Sequence, residues 1–461
     1  MAGHQLTDEL VGLDIDISPG QRRLAAAWLG LGVGALALAG IFAILLVVAR
    51  APGTEVLFPT QDFFRVALIV HVDQSVLIWF LAFSGALWAL GRGVPAKWSW
   101  TAFGIALTGC LLVAAAPFVG AADPLLSNYV PVLDHPIFLA ALAIFGIGTL
   151  LQVLGYLQRA LPSCSMNNPL AIGTLTAAIA VVLVAVSLVW TWVDLPRQWE
   201  GKAYYEYLFW GPGHVLQFAY TQVMLVAWLW LAMSVARPVQ IGHRWLSALL
   251  VLGVLPLIAV PLIQAYYAPD SAESRLAYTQ LMQWGNGLAV LPIGFWLLLA
   301  MGKGRGRPLG EILLPQHRAL IASVVLFVTG GLLGASIAEV NTVVPAHYHG
   351  SIVGVTLALM GLTYHLLPRL GFGIPQGRMA RWQPWFYGFG QLLHIGGLAA
   401  SGAMGIQRKT AGAAQGLDST VVKAFMGVMG LGGLLAVIGG ILFVLVVIRA
   451  CLRRDSLVTS R

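Results

Sequence analysis

The stretch Pro345-Ala346-His347-Tyr348-His349-Gly350 (PAHYHG) puts two histidines two positions apart in a run that is otherwise almost wholly apolar. On an α-helix each residue turns by about 100°, so two positions amount to roughly 200°. The two imidazoles therefore leave opposite sides of one helix, and a single metal ion cannot easily use both. The chemistry of this helix must involve one imidazole on each side.

The composition says where such a helix lives. Of 461 residues, 59% are hydrophobic and only 10% charged, with a mean hydropathy of +0.83. These values exclude a soluble domain. Apolar runs of about 18 residues or more read as bilayer-spanning helices. About twelve occur, near 22–50, 62–91, 99–121, 132–158, 170–193, 205–235, 245–268, 277–301, 317–338, 343–368, 383–405 and 420–450. Short loops join them, and no internal repeat or low-complexity tract is visible. The expected fold is an all-α integral membrane bundle of twelve transmembrane helices. It forms one domain over 22–452, between an N-terminal segment (1–21) and a short tail (453–461). The first segment lacks the basic start and short apolar core of a signal peptide.

Charge gives the orientation. Arg92, Lys97, Arg159, Arg237, Arg244, Lys303, Arg305, Arg307, Arg369, Arg378, Arg381, Arg453 and Arg454 fall on one side of the membrane with the N-terminus. Glu55, Asp62, Asp123, Asp194, Glu200, Asp270, Glu273 and Glu339 fall on the other. The positive-inside rule makes the first side cytoplasmic, with both termini inside a bacterial inner membrane. The net charge of +8 is therefore a topology signal and not a nucleic-acid footprint. Arg408 and Lys409 are a basic pair on the outer side. Cys110, Cys164 and Cys451 show no metal or haem-attachment spacing and read as packing residues.

Of the ten histidines, His71, His214, His347 and His349 fall at a similar depth, in the outer third to half of the membrane, on helices 2, 6 and 10. Ionisable groups there are costly, face the bundle interior and mark function. His135 and His394 read as hydrogen-bonded core residues. His4, His243, His317 and His365 read as interface anchors near the cytoplasmic ends. Neutral imidazole without thiolate suits haem iron, copper or zinc. Haem answers the opening question best, because a flat porphyrin can lie on each side of helix 10. His347 would hold one and His349 the other, with His71 as the second axial ligand of a six-coordinate haem. Arg408 and Lys409 would face haem propionates.

These residues carry a family resemblance. The chain resembles, over essentially its whole length, the catalytic subunit (subunit I) of haem-copper oxidases and nitric oxide reductases. NTVVPAHYHG resembles the helix 10 segment, which implies His347 as ligand of a high-spin haem and His349 of a low-spin haem. RVALIVHVDQ resembles helix 2, implying His71 as the other low-spin ligand. FWGPGHVLQF resembles helix 6, implying His214 as ligand of a second metal, copper or non-haem iron. QRKTAG resembles the propionate-holding pair, Arg408 and Lys409. The resemblance implies two haems, one low-spin and one high-spin, with b the expected type.

The departures are specific. Where the family places two adjacent histidines in helix 7, this chain has PLIQAYYAPDS. Tyr266 and Tyr267, or Gln264, or Gln217, would have to complete the second-metal site beside His214, or the site holds no metal. The oxidase tyrosine joined to the helix 6 histidine is missing too, with Phe218 in its place and Ile258 and Val260 at the alternative position. NO reduction breaks no O–O bond, which tilts the expected substrate from dioxygen toward NO. Catalytic candidates are thus His347, His214, Tyr267 and Tyr266. The expected activity is reduction of a diatomic gas with electrons from an outer-side donor, a c-type cytochrome or similar, received through a small electron-carrying subunit. Two other readings stand open: a non-catalytic haem electron-transfer or gas-sensing protein, and a multi-helix transporter, against which the lack of paired broken helices argues.

Overall fold

A reciprocal cap starts the first helix. In the computed structural model, Ser18 N donates to Gln21 Oε1 (3.1 Å), and Gln21 N donates to Ser18 Oγ (3.3 Å). Two otherwise orphaned donors are satisfied this way, and Pro19 sits at a position that needs no amide. The Gln21 amide then donates to the carbonyl of Gly91 (2.7 Å), tying the start of the first helix to the end of the second.

The structure describes residues 17–50, 61–91, 97–121, 123–235, 242–303, 314–410, 415 and 419–453. Readings placed on 1–16, Glu55, Arg92, Arg237, Arg305, Arg307 and 454–461 lie outside these residues. Among the described residues twelve long helices are present: α1 Pro19–Val48, α2 Phe63–Leu90, α3 Ser99–Val119, α4 Pro136–Ser163, α5 Pro169–Asp194, α6 Gly201–Ser234, α7 His243–Tyr266, α8 Ala272–Leu299, α9 Pro315–Ala335, α10 Val343–Arg369, α11 Gly377–Ala403 and α12 Thr420–Leu452. Eleven of them are long and apolar enough to cross a membrane, and α11 is the more polar twelfth.

Several boundaries differ from those expected. Helix α4 begins at Pro136, not near 132, because Val132 and Leu133 form a strand (β2) paired antiparallel with Pro124–Leu125 (β1). His135 is therefore the cap of α4, accepting from Ile137 N at 3.3 Å. Helix α7 is interrupted: its first segment ends at Leu252, a tight 3-10 turn covers Leu255–Ile258, and a helical turn pair resumes at Ala259. Pro256 lies in that turn and removes an amide from the ladder. Helix α2 widens into a π-helical turn at Asp73–Ile78. His317 and His365 are buried, at 5% and 6% exposure, and are not interface anchors.

The helices gather into two compact units. One contains residues 1–32 and 72–306, and the other 33–71 and 307–461. In the second unit α9 and α10 touch backbone to backbone. A Cβ on Gly350 would lie 2.6 Å from Gly330 Cα, and one on Gly330 would collide with the amide of Ser351. Small residues let membrane helices approach this closely, where dispersion contacts hold them together. Ser323 Oγ, on α9, donates to the Gly354 carbonyl at 2.6 Å and fixes the register. At the start of α10, Asn341 Oδ1 accepts from Val343 N (2.9 Å), and Thr342 Oγ1 donates to the Leu398 carbonyl of α11 (2.9 Å).

Because the Gly350 contact is with backbone, no side chain can swing aside. Gly350→Val should cost about 3 kcal/mol, the upper range for overpacking. Thermal unfolding in detergent measures this. A midpoint equal to wild type would mean that α9 and α10 are not in direct contact here.

Candidate functional site

Four of the histidines share one local device, a ring Nδ1 resting on a main-chain carbonyl. His71 Nδ1 lies 2.9 Å from the Ala39 carbonyl of α1. His347 Nδ1 lies 2.7 Å from the Gly330 carbonyl of α9. His394 Nδ1 lies 3.0 Å from the Met429 carbonyl of α12, and His214 Nδ1 lies 2.6 Å from the Trp210 carbonyl one turn earlier in α6. A carbonyl only accepts, so Nδ1 must carry the proton and Nε2 the lone pair. Neutral imidazole with its second nitrogen on a carbonyl is the usual state of a metal-ligating histidine.

The second unit holds His71, His347, His349, His394 and the Arg408–Lys409 pair. The α1–α2 packing of Phe42, Leu46, Phe64, Ala67 and Val70 leads up to His71. The ring of His347 lies against Gly334 of α9, where a Cβ would come within 2.6 Å of Nδ1. His349 leaves the other side of α10 toward α11, with its ring 4.9 Å from that of His394 and inclined at 63°. His394, expected to be a core residue, packs its ring edge-on against that of His349. The rings of His71, His347 and His349 are only half-buried, so part of each is not packed against protein. Donor type and partial exposure fit axial haem ligation at all three, and the tautomer fits at His71 and His347. Arg408 and Lys409 lie in the turn after α11, half-buried, with Lys409 in the left-handed region (φ 62°).

His214 is built differently. It is 1% exposed, and its Nε2 lies 2.9 Å from the Tyr129 hydroxyl. Tyr129 comes from the tip of the β1–β2 hairpin, a connection with no hydrophobic periodicity in the sequence. Glu206, on the first turns of α6, pins that tip. Its carboxylate accepts from Asn128 N (3.1 Å) and from the Asn128 side-chain amide. Burial, and secondarily the nearby Glu206 charge, raise the Tyr129 pKa, so its hydroxyl stays protonated and donates. The glycines of WGPGH make the space. A Cβ on Gly213 would strike the Tyr129 ring, and one on Gly211 would lie 2.7 Å from the Tyr278 ring. Trp210, Tyr129 and Tyr278 surround the imidazole at centroid distances of 4.9, 4.6 and 6.1 Å. Arg275 lies over Trp210 at 4.6 Å, a cation–π contact.

Both nitrogens of His214 are therefore engaged. Among the described residues, no group of three or more His, Cys, Asp or Glu side chains could hold a metal ion. The residues at His214 do not fit a second metal on nitrogen ligands. Tyr266 is 79% exposed and Tyr267 42% exposed, and neither ring is among those packed on His214. Tyr267 lines a small cavity with Gln264, Trp210, Gly211 and Tyr278. Gln264 itself donates to Ser187 and Thr191 of α5. Gln217 lies in another cavity, with Asp73 and Tyr220. A tyrosine at the helix 6 histidine is present after all, but it arrives from a hairpin and meets the ring through its hydroxyl.

Comparison with known proteins agrees with this architecture. The family described as cytochrome c and quinol oxidase polypeptide I matches residues 23–442. An uncharacterized protein of Rickettsia prowazekii is 30% identical over 487 residues, covering 91% of this chain and 94% of that protein. One from Aquifex aeolicus is 29% identical over 358 residues, covering 77% and 88%. Among solved structures, a heme-copper terminal oxidase dimer superposes with a TM-score of 0.71 at 17% identity, covering 95% of this chain and 85% of that one.

Tyr129→Phe should leave buried His214 Nε2 without its donor and cost about 1–3 kcal/mol. The penalty should depend on pH with a definite sign. A raised folded-state pKa means that the tyrosine's contribution is fully present below the ordinary tyrosine value of 10.0 and declines as pH climbs above it. Unfolding of wild type and variant at pH 8 and pH 10.5 checks this, and a gap that widened with pH would contradict the contact. Glu206→Ala should release the hairpin and reproduce most of the loss.

Proposed function

Because the chain belongs to the cytochrome c and quinol oxidase polypeptide I family, whose members are membrane oxidoreductases that bind haem with a copper or other metal centre, we propose that it is a respiratory haem oxidoreductase reducing a diatomic gas. The observation that carries this reading is the pair His347 and His349. Each is half-buried, they leave opposite sides of α10, and one is anchored on α9 while the other faces α11. His71 and His349 hold the low-spin haem, and His347 holds the high-spin haem. Haem, when bound, supplies one-electron transfer and an open iron position for a small ligand.

The protein's own groups do the rest. The carbonyls of Ala39 and Gly330 keep His71 and His347 in the tautomer that presents Nε2. Arg408 and Lys409 hold propionates on the outer side. His214 serves with Tyr129 as a buried hydrogen-bonded pair, and copper is not a constituent of its site. NO is the substrate we favour. The oxidase tyrosine is joined to its histidine, whereas Tyr129 meets His214 by a hydrogen bond from its hydroxyl, and NO reduction needs no such residue. Electrons come from an outer-side carrier through a partner subunit. The chain sits in a bacterial inner membrane with both termini inside.

His71→Ala and His349→Ala should each abolish the six-coordinate haem spectrum and leave CO binding at the other haem. His347→Leu should do the reverse, since the imidazoles point to opposite sides of the helix. A normal low-spin spectrum in either alanine variant would overturn the assignment. Metal analysis of purified protein should give haem iron and less than one copper per chain. With a reduced c-type cytochrome as donor, NO consumption should exceed dioxygen consumption, and the opposite order would make the protein an oxidase.

A further inference from the structure

Arginines of the second unit are placed against ordinary helix electrostatics. Helices α9 and α11 both begin at the end of the bundle that the charge pattern reads as cytoplasmic. Neither has an acid in its first turn. Arg318 stands there in α9, and Arg378, followed by Arg381, in α11. Cations are unfavourable at a helix N-terminus, where the dipole is already positive. The fold then draws these charges together. Arg318 Nη1 donates to the Arg381 carbonyl at 2.7 Å, and the two guanidinium groups lie close enough to act on each other. Arg449 of α12 rests on the thioether of Met379, a weak acceptor, at 2.9 Å. Among the described residues between Leu314 and Arg453 there is one acid, Glu339, shortly before the start of α10 at the opposite end. In the flanking sequence Glu311 and Asp455 stand against Arg305, Arg307 and Arg454. Orientation in the membrane accounts for basic residues at this end, but not for their convergence.

The surface that follows each arginine is apolar and exposed. On α9, Val325 and Leu332 succeed Arg318 at the seven-residue spacing that keeps one helix face. On α11, Trp382, Trp385 and Phe389 succeed Arg378 at spacings of four, three and four, again on one face. Exposed tryptophans at a helix end belong at the level of lipid headgroups. The two helices touch at Ala322 and Gly388, where a Cβ on the glycine would lie 2.9 Å from that of the alanine. Val325 lies one turn beyond Ala322, and Trp385 and Phe389 lie on either side of Gly388 in the chain. A soluble anion would engage the arginines and leave this apolar seam unused. A molecule with an anionic head and acyl chains engages both, and basic pockets between membrane helices on the inner side take such headgroups.

We propose that Arg318, Arg378 and Arg381 bind the phosphate headgroup of one anionic phospholipid, whose acyl chains lie along the α9–α11 seam past Val325, Trp385 and Phe389. The phosphate supplies the counter-charge that these helix ends lack, through charge-assisted hydrogen bonds from guanidinium groups. The site lies wholly in the second unit, and it does not depend on haem ligation or on which gas is reduced.

The test is native mass spectrometry of the purified full-length haem-loaded protein, titrated in neutral detergent with phosphatidylglycerol or with phosphatidylcholine. Wild type should retain one phosphatidylglycerol at concentrations where phosphatidylcholine is not retained, and inorganic phosphate should not displace it. Arg318→Gln and Arg381→Gln should each weaken retention by about fivefold, the worth of one basic residue at an anionic membrane surface. Arg244→Gln, which removes an exposed arginine at the same end of the first unit, should leave retention unchanged. Haem absorbance verifies that each variant is folded. Equal retention of the two lipids by wild type would overturn the proposal, and that measurement needs no variant. Unchanged retention in Arg318→Gln and Arg381→Gln would overturn it by placing the lipid elsewhere. An equal loss in Arg244→Gln would overturn it by making the attraction a property of the whole basic face. Displacement by inorganic phosphate would overturn the lipid as occupant.

Discussion

A hydrogen bond from imidazole Nδ1 to a main-chain carbonyl is the interaction on which the rest of this protein depends. Inside a bilayer no water solvates a ring nitrogen, so each histidine must find its own acceptor. Here the acceptor is a helix carbonyl in four cases, at Ala39, Gly330, Met429 and Trp210. The bond decides which nitrogen keeps a lone pair and fixes the plane of each ring. It requires neighbouring helices to come close enough for a side chain to reach across. The glycine contacts of α9 with α10 follow from that requirement, because Gly330 offers both its carbonyl to His347 and its missing side chain to Gly350.

The same device has two outcomes. At His71 and His347 the ring remains half-exposed, and a planar cofactor has an edge to meet. At His214 the ring is enclosed by Tyr129, Trp210 and Tyr278, and its second nitrogen is taken by a hydroxyl. A family that pairs haem with a further metal is represented here by a chain whose helix 6 histidine is sealed by a tyrosine. The seal is stable because the desolvated hydroxyl does not readily ionise, and because Glu206 holds the hairpin that carries it. Helix α2 likewise uses its two polar residues separately. His71 turns toward α1 and belongs to one compact unit, while Asp73 borders a cavity with α6 and belongs to the other.

The sequence by itself determined the membrane class, the twelve helices and the placing of His347 and His349 on opposite sides of one of them. Hydrophobic length is a local property, and the two-residue spacing of His347 and His349 fixes their opposed directions from helix geometry alone. The family likeness carried by the segments around His71, His214 and His347 was legible for the same reason, since each motif lies within one helix. Tertiary structure decided what meets His214. Tyr129 lies 85 positions away, in a hairpin with no periodic signal that Glu206 and Tyr205 of α6 tie down. Gly213 beside His214 was the one local hint, as a residue that makes room for a ring. Tertiary structure also left Tyr266 and Tyr267 exposed, outside the set of rings packed on the imidazole. The reach of Arg318 to the Arg381 carbonyl belongs to the same class of fact. Whether a polar group has a partner depends on packing between helices, and no single helix carries that information.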